Sequence, residues 1–382
     1  MKIKITSKLP NVGTSIFTVM SKMAYEYDAI NLSQGFPDFN CPDELIELVH
    51  YYQKKGFNQY APMQGVLSLR SEISKKIEKL HGSFYNPETE ITITAGATQA
   101  LFTAISCIVN KGDEVIVFEP AYDSYVPVIQ ANGGKPVFVP LNKDDYSIDW
   151  VLTKKSITAK TKLIIINSPH NPTGSVIGLN DIRELEKLIK GKNIFIISDE
   201  VYEHITFDGY EHISLSRSDI LTNRSFIISS FGKTYHTTGW KMGYCAAPEL
   251  LMREFQKLHQ FVVFSANTPT QYAYAEFLKI ESHYLDLGNF YMQKRDYFVS
   301  KIQKSKFKIK SCKGTYFQLL DYSNFSKLND KKFAEYLTKE VGVAVIPLSP
   351  FYRKPYNEKI IRVCFAKREE ILKSAAKLLN KL

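Results

Sequence analysis

Ser229-Ser230-Phe231-Gly232-Lys233-Thr234-Tyr235, with Thr238-Gly239-Trp240-Lys241-Met242-Gly243-Tyr244 close behind, decides how this chain is read. The apolar run Phe226-Ile227-Ile228 in front of it predicts a strand, so Lys233 is an amine held at a strand end, flanked by small and hydroxyl residues and facing a ligand. Such an amine condenses with a carbonyl to give a Schiff base, which makes Lys233 the candidate nucleophile. A solvated surface lysine could have the same neighbours, and the chain carries 49 basic residues. The reading therefore depends on partners elsewhere in the sequence.

At 382 residues the chain exceeds the size at which one hydrophobic core stops growing, and two domains, one larger, are expected. Hydrophobic residues at 44% and charged residues at 23% are those of an ordinary soluble globular protein. A net charge of +10 suits nucleic acid, an anionic membrane or a phosphorylated small molecule. The lysines are scattered singly, without a dense basic run interleaved with aromatics, so nucleic acid is not expected. No apolar run reaches membrane-spanning length, which argues against a membrane partner. Met1 to Ile5 lacks the apolar core of a signal peptide. Cys41, Cys107, Cys245, Cys312 and Cys364 lie far apart, with no zinc or redox spacing. No metal is expected, and buried reduced thiols in a cytoplasmic protein fit better than a disulfide framework.

In chain order, Phe17–Ala24 reads as a short amphipathic helix in an arm or small-domain edge. Ile30 to Phe39 reads as a short strand entering a Gly and Pro loop around Gly35, where backbone approaches a ligand or simply turns. Helices are expected over Cys41–Lys55 and Val66–Leu80, with Tyr60 in the irregular segment between them. Glu90–Thr94 is a β-branched strand, ending in Ala95-Gly96-Ala97-Thr98-Gln99 before a helix over Ala100–Val109. Strand, small-residue turn and helix make a phosphate cradle, with N–H groups at the helix start and the Thr98 hydroxyl as donors. Many such turns use Gly and Ala only for close packing.

The alternation continues with strands at Glu114–Phe118, Pro136–Pro140, Lys162–Ile166 and Asn193–Ser198, and helices from Tyr125 to Ala131 and over Asp181–Lys190. Tyr122 follows a strand end and is placed to stack on a flat ring. Asn171 lies in the turn-forming stretch Asn167 to Gly174, and Asp199 and Tyr202 follow the strand before them. Strands alternating with helices imply a mainly parallel sheet whose ligands gather beyond the strands' carboxyl ends. The segments singled out from Thr98 to Lys233 sit at such ends. After Tyr244 the order loosens into helical stretches, Leu250–Phe264 and Gln271–Ser305. A shorter α+β pattern follows: Lys313–Leu320, helix Lys331–Glu340, and strands Val343–Pro347 and Ile360–Phe365. Arg362, polar in an apolar strand, needs an anionic partner, whether a protein carboxylate or a ligand.

Taken together, these pieces resemble the pyridoxal-phosphate-dependent aminotransferases of fold type I, class I/II, in the branch that holds kynurenine/glutamine transaminase and the bacterial methionine aminotransferases. The likeness runs from about Asn31 to Phe365, with the motifs in the family's order. It implies an α/β fold like that of aspartate aminotransferase: a mainly parallel large domain over residues 41–280, a smaller α+β domain over 281–382, and an N-terminal arm over 1–40. It implies pyridoxal 5′-phosphate as cofactor, with Lys233 its Schiff-base lysine and proton shuttle. Asp199 would pair with the pyridinium nitrogen, and Tyr202 and Asn171 would hydrogen-bond the ring's 3′ oxygen. Ala97, Thr98, Ser230 and Lys241 would hold the phosphate, Tyr122 would stack on the ring, and Tyr60 would arrive from the second subunit of a homodimer. Arg362 would take the substrate carboxylate, helped by Gly35 and Asn171.

Where many class members carry arginine in the Gly-x-Arg-x-Gly segment, this chain has Lys241, as that branch does. An aromatic-rich chain without an evident second arginine favours methionine, aromatic or glutamine-like donors, passed to a 2-oxo acid by a ping-pong route. A cysteine-conjugate β-lyase is the nearest alternative, and a non-catalytic regulator that binds the same cofactor is the alternative from another class. The start of the chain is too short for the winged helix such a regulator would carry.

Overall fold

The computed structural model describes residues 4–354 and 356–382; Met1 to Ile3, part of the stretch read for a signal peptide, lie outside them. The apolar runs form a seven-stranded sheet. Its spatial order is Ile91–Thr94, Gly243–Ala246, Ser225–Ser230, Phe195–Asp199, Thr161–Asn167, Glu114–Glu119 and Lys135–Pro140. All neighbours are parallel except Gly243–Ala246, which runs antiparallel to the strands on both sides. Parallel strands need helical crossovers that cover both faces, and so they are apolar on both. Alternate residues accordingly feed two cores. Ile116, Ile164, Ile166, Ile196 and Ile227 pack on one side, and Val115, Val117, Leu163, Ile165 and Ile197 on the other. Each such side chain contributes about 2 kcal/mol of transfer free energy.

A second, antiparallel sheet runs Ile346–Pro347, Ile360–Cys364, Phe317–Asp321 and Lys308–Ile309. The N-terminal helix Ile16–Glu26 is capped by Ser15, whose Oγ accepts the Thr18 N–H. It leads to Ile30–Asn31, which pairs in parallel with Val343–Ala344. The Cys364 N–H donates to the Leu32 carbonyl at 2.8 Å, tying the Gly35 loop to the arginine-bearing strand.

Four local expectations are corrected. The helix expected from Ala100 begins at Ala97, because Gly96 (φ 79°, ψ 165°) ends the turn and the small residues after it enter the helix directly. Lys313 to Tyr316 is irregular and the strand begins at Phe317. Val343–Pro347 is two short strands, because its halves pair with different partners and Val345 passes between sheets. The helical stretch Gln271–Ser305 is three helices, Thr268–Phe277, Ser282–Leu285 and Leu287–Ile302. All five cysteines are free thiols, and Cys245, Cys312 and Cys364 are buried.

Candidate active site

Strand ends converge on a cleft that encloses a cavity of about 180 Å³, lined by both polar and apolar groups as small-molecule sites are. Its lining includes Ala97, Thr98, Tyr122, Asn171, Asp199, Tyr202, Ser230, Lys233 and Lys241, so nine of the predicted residues share one cavity. Asp199 and Ser230 are the last residues of adjacent strands, and Lys233 sits in the single helical turn after Ser230. The carboxyl ends of parallel strands thus carry the polar groups, as the alternating pattern requires.

At one end, helix Ala97–Ile108 opens on Gly96, which offers no side-chain cap, so its first N–H groups are available to an anion. Lys241 arrives beside it in the left-handed backbone region (φ 54°), an uncommon conformation for a residue with a β-carbon. Two residues on, Gly243 allows the close approach: a β-carbon there would lie 2.6 Å from the Ser229 carbonyl and 3.0 Å from the Ala97 nitrogen.

On the floor, Asp199 is buried and accepts a hydrogen bond of 2.5 Å from the Tyr125 hydroxyl and a longer one from the Val201 N–H. Burial pushes its carboxyl up to about 6, against the pull of those donors. Asn167 donates to the Asp199 carbonyl at 2.8 Å and accepts the Asn171 N–H at 2.8 Å, fixing the Asn171 turn against the floor.

Lys233 donates from Nζ to the Tyr316 hydroxyl at 2.8 Å and to the Gly35 carbonyl at 3.0 Å. Burial, with Arg362 and Lys241 adding repulsion, pulls its amine down to about 8. Arg362 is 1% exposed. Nη1 donates to Asn171 Oδ1 at 2.8 Å, Nη2 to the Ser33 carbonyl at 3.1 Å, and Nε has no protein partner. Its guanidinium lies 3.8 Å from the Phe317 ring centroid. Desolvation lowers its pKa to about 10, which leaves it charged at neutral pH. Among the described residues no carboxylate hydrogen-bonds this arginine, which leaves Nε and the remaining N–H bonds able to take an anionic group.

Gly35 reaches the site through its carbonyl and cannot carry a side chain, since a β-carbon would lie 2.8 Å from Phe317 Cζ. Tyr60 does not line the cleft. It is 83% exposed and packs edge-on against Phe264 of its own chain. Tyr125, Asn167 and Tyr316 were not singled out in the sequence. Only the position of Tyr125 and Asn167 at a helix start and a strand end could have flagged them. Away from the cleft, ligand-capable atoms of His81, Glu200 and His212 lie within 4.8 Å of one another, a grouping no sequence spacing discloses. There His212 donates to Glu200 at 2.9 Å, and Ser198, Ser214 and the Leu215 N–H also bond that carboxylate.

Comparison with known proteins agrees with this arrangement. The family profile "Aminotransferase class I and II" matches residues 27–379. The chain is 48% identical over 377 residues to the methionine aminotransferase of Escherichia coli K12, covering 98% of each chain. It is 35% identical to a kynurenine–oxoglutarate transaminase of Dictyostelium discoideum, covering 99% of this chain and 96% of that one. The crystal structure of Escherichia coli YbdL, identified with a methionine aminotransferase function, superposes with a TM-score of 0.97 over 100% of both chains at 48% identity. The large sheet, the small antiparallel sheet and the cleft are those of the aspartate aminotransferase-like, fold type I enzymes. The chain belongs to the class I and II aminotransferases, pyridoxal-phosphate enzymes that move an amino group from an amino acid to a 2-oxo acid.

Proposed function

We propose that this aminotransferase takes its amino group from methionine, an aromatic amino acid or a glutamine-like one, and that it works as a cytoplasmic homodimer. One observation carries the reading of the site: a single cleft gathers an amine, a buried carboxylate, two lining tyrosines and an uncapped helix start beside a lysine. That donor set fits pyridoxal phosphate. Lys241 and the N–H groups after Gly96 suit a phosphate dianion, and Asp199 suits a protonated ring nitrogen. When bound, the cofactor supplies an electron sink for the pair left on the substrate α-carbon.

The residues have the following roles in this reading. Lys233 holds the cofactor covalently and then carries the proton to and from the α-carbon. With a pKa near 8, a useful fraction of its amine is neutral at physiological pH. Tyr125 and the Val201 N–H keep Asp199 ionised in a buried position that would otherwise favour its acid. Asn171, Tyr202 and Tyr122 line the cleft, where Asn171 and Tyr202 would bond the ring oxygen and Tyr122 would stack on the ring. Arg362 and Asn171, bonded to each other, would orient the substrate carboxylate and so fix which bond at the α-carbon is presented to the cofactor. Phe17, Phe317 and Phe351 surround the guanidinium and keep water from it.

The 48% identity to a methionine aminotransferase and the likeness to a kynurenine transaminase support this choice of donor. Arg362 meets the cleft through its bond to Asn171, and among the described residues no other arginine bonds a lining residue, so a second acidic group has no obvious receptor. Arg353, in the neighbouring cavity, lies over the Phe138 ring. Exposed Tyr60, Phe261 and Phe264 support a dimer in which Tyr60 crosses to the partner's site. The division into an arm (1–40), a large domain (41–280) and a small domain (281–382) belongs to the same proposal.

The test is the visible spectrum of the purified protein before and after methionine, with Lys233→Ala as control. The expected result is a yellow band that methionine bleaches in the wild type and that is missing from the variant. Release of pyruvate and ammonia from cysteine conjugates, with no amino transfer, would move the reading to a lyase.

A further inference from the structure

Tyr316 is fully buried, yet its hydroxyl is fully employed. It donates to the Gly35 carbonyl at 2.6 Å and accepts from Lys233 Nζ at 2.8 Å, while Nζ also donates to that carbonyl at 3.0 Å. The three groups close a triangle. The tyrosine ring has little freedom: Phe317, Tyr202 and Tyr291 lie 4.9, 5.2 and 5.5 Å from it, and its carbonyl accepts the Phe365 N–H. The Gly35 carbonyl is equally constrained, because Phe317 fills the space a side chain would need.

We infer that Tyr316 is a positioning residue for the transfer: with the Gly35 carbonyl it holds the Lys233 amine whenever that amine is free, and turns its lone pair toward the cleft. The inference rests on Lys233 being the cofactor-bearing amine. A neutral amine has two N–H bonds and one lone pair. Both N–H bonds are taken by neutral oxygens on the small-sheet side, so the lone pair is left for the cleft, where a proton must be collected. Because the phenol gives its own hydrogen to Gly35, it serves the amine as an acceptor and does not compete for the lone pair. The other groups facing the amine are the Tyr202 ring at 5.7 Å, with Asp199 and Cys364 favouring its charged form and Arg362 and Lys241 opposing it.

The phenol oxygen binds an ammonium more strongly than an amine, so Tyr316→Phe should lower the proton affinity of Lys233 by about one unit. The readout is the rate at which apoprotein takes up pyridoxal phosphate, followed by absorbance across pH. Only the neutral amine attacks, so the inflection marks its titration. The inflection should fall by about one unit, and kcat for methionine on the order of tenfold with KM little changed. Tyr291→Phe is the control. It removes a hydroxyl bonded to His236 Nδ1 at 3.0 Å from the same aromatic group and should leave both readouts unchanged. Both variants keep the ring and should melt within about 3 °C of wild type.

An unchanged inflection and kcat in Tyr316→Phe, or an equal shift in Tyr291→Phe, would overturn the inference. If Lys233→Ala takes up cofactor with the same pH profile as wild type, the Lys233 reading falls and this one with it. If that variant loses uptake while Tyr316→Phe matches wild type, only the role of Tyr316 falls.

Discussion

Replacing Arg362 by lysine keeps the charge and removes the plane. A carboxylate on a guanidinium gains two charge-assisted hydrogen bonds, each about 1.5–3 kcal/mol. An ammonium at the same depth keeps one of them and forfeits the fork. It also forfeits the contact with Phe317 at 3.8 Å, about 1 kcal/mol. The shorter head group also leaves Asn171 Oδ1 without its donor. Together these amount to about 3 kcal/mol, roughly 150-fold in kcat/KM for methionine.

The assay compares methionine with its decarboxylated amine in wild type and Arg362→Lys, using half-reaction rates read from the cofactor spectrum. The amine lacks the group that Arg362 is argued to bind, so its rate should fall less than about threefold. A loss with methionine below about fivefold would refute the reasoning. So would an equal loss with both compounds, because Arg362 would then be acting on the frame of the site.

Two further outcomes test the buried charges. The Asp199 carboxyl is raised from 3.8 to about 6, so the folded state binds its proton more tightly than the unfolded chain does. The resulting cost to stability is absent below about pH 4 and complete above about pH 6. Asp199→Asn should therefore abolish transamination yet stabilise the apoprotein at pH 7 by as much as about 3 kcal/mol in urea unfolding. No gain at pH 7, or the same gain at pH 4, would count against it. Glu203, paired with Lys76 at 2.7 Å with both side chains 5% exposed, is held well below the usual carboxylate range despite its burial, chiefly by Lys76. Glu203→Gln leaves that lysine uncompensated and should cost about 3–5 kcal/mol, part of it recovered by adding Lys76→Met; a urea midpoint equal to wild type would contradict this.

The large sheet was legible because its strands are unbroken β-branched runs separated by helical spacing, and the polar residues after each run fell where parallel strands end. Lys233, Asp199 and Asn171 were singled out in this way, and the structure brings them into one cleft. Arg362 was visible as the one polar residue in an apolar strand. Gly243–Ala246 was missed because four small or mixed residues carry no periodicity, and its direction is set by neighbours far away in sequence. Tyr316 was missed for a related reason: its hydroxyl meets Gly35 across 281 residues of chain, and Lys313 to Tyr316 reads as strand while serving as a bent approach to one. The early start of the Ala97 helix is a local matter of Gly96, whose backbone conformation a residue type permits without dictating.

The reversed strand has a consequence for how the protein is made. Gly243 stands opposite Thr94 on one side and Ser230 on the other, so the anion end of the cleft is clamped by a late segment of the chain wedged between two earlier ones. A nascent chain that has left the ribosome only as far as Thr234 already has Lys233, its strand and the helix start, but it lacks both Lys241 and the wedge that brings them together. Cofactor capture during translation must therefore wait for residues up to about Ala246. Chains that stop short of it should emerge colourless even though most of the large sheet has been synthesised.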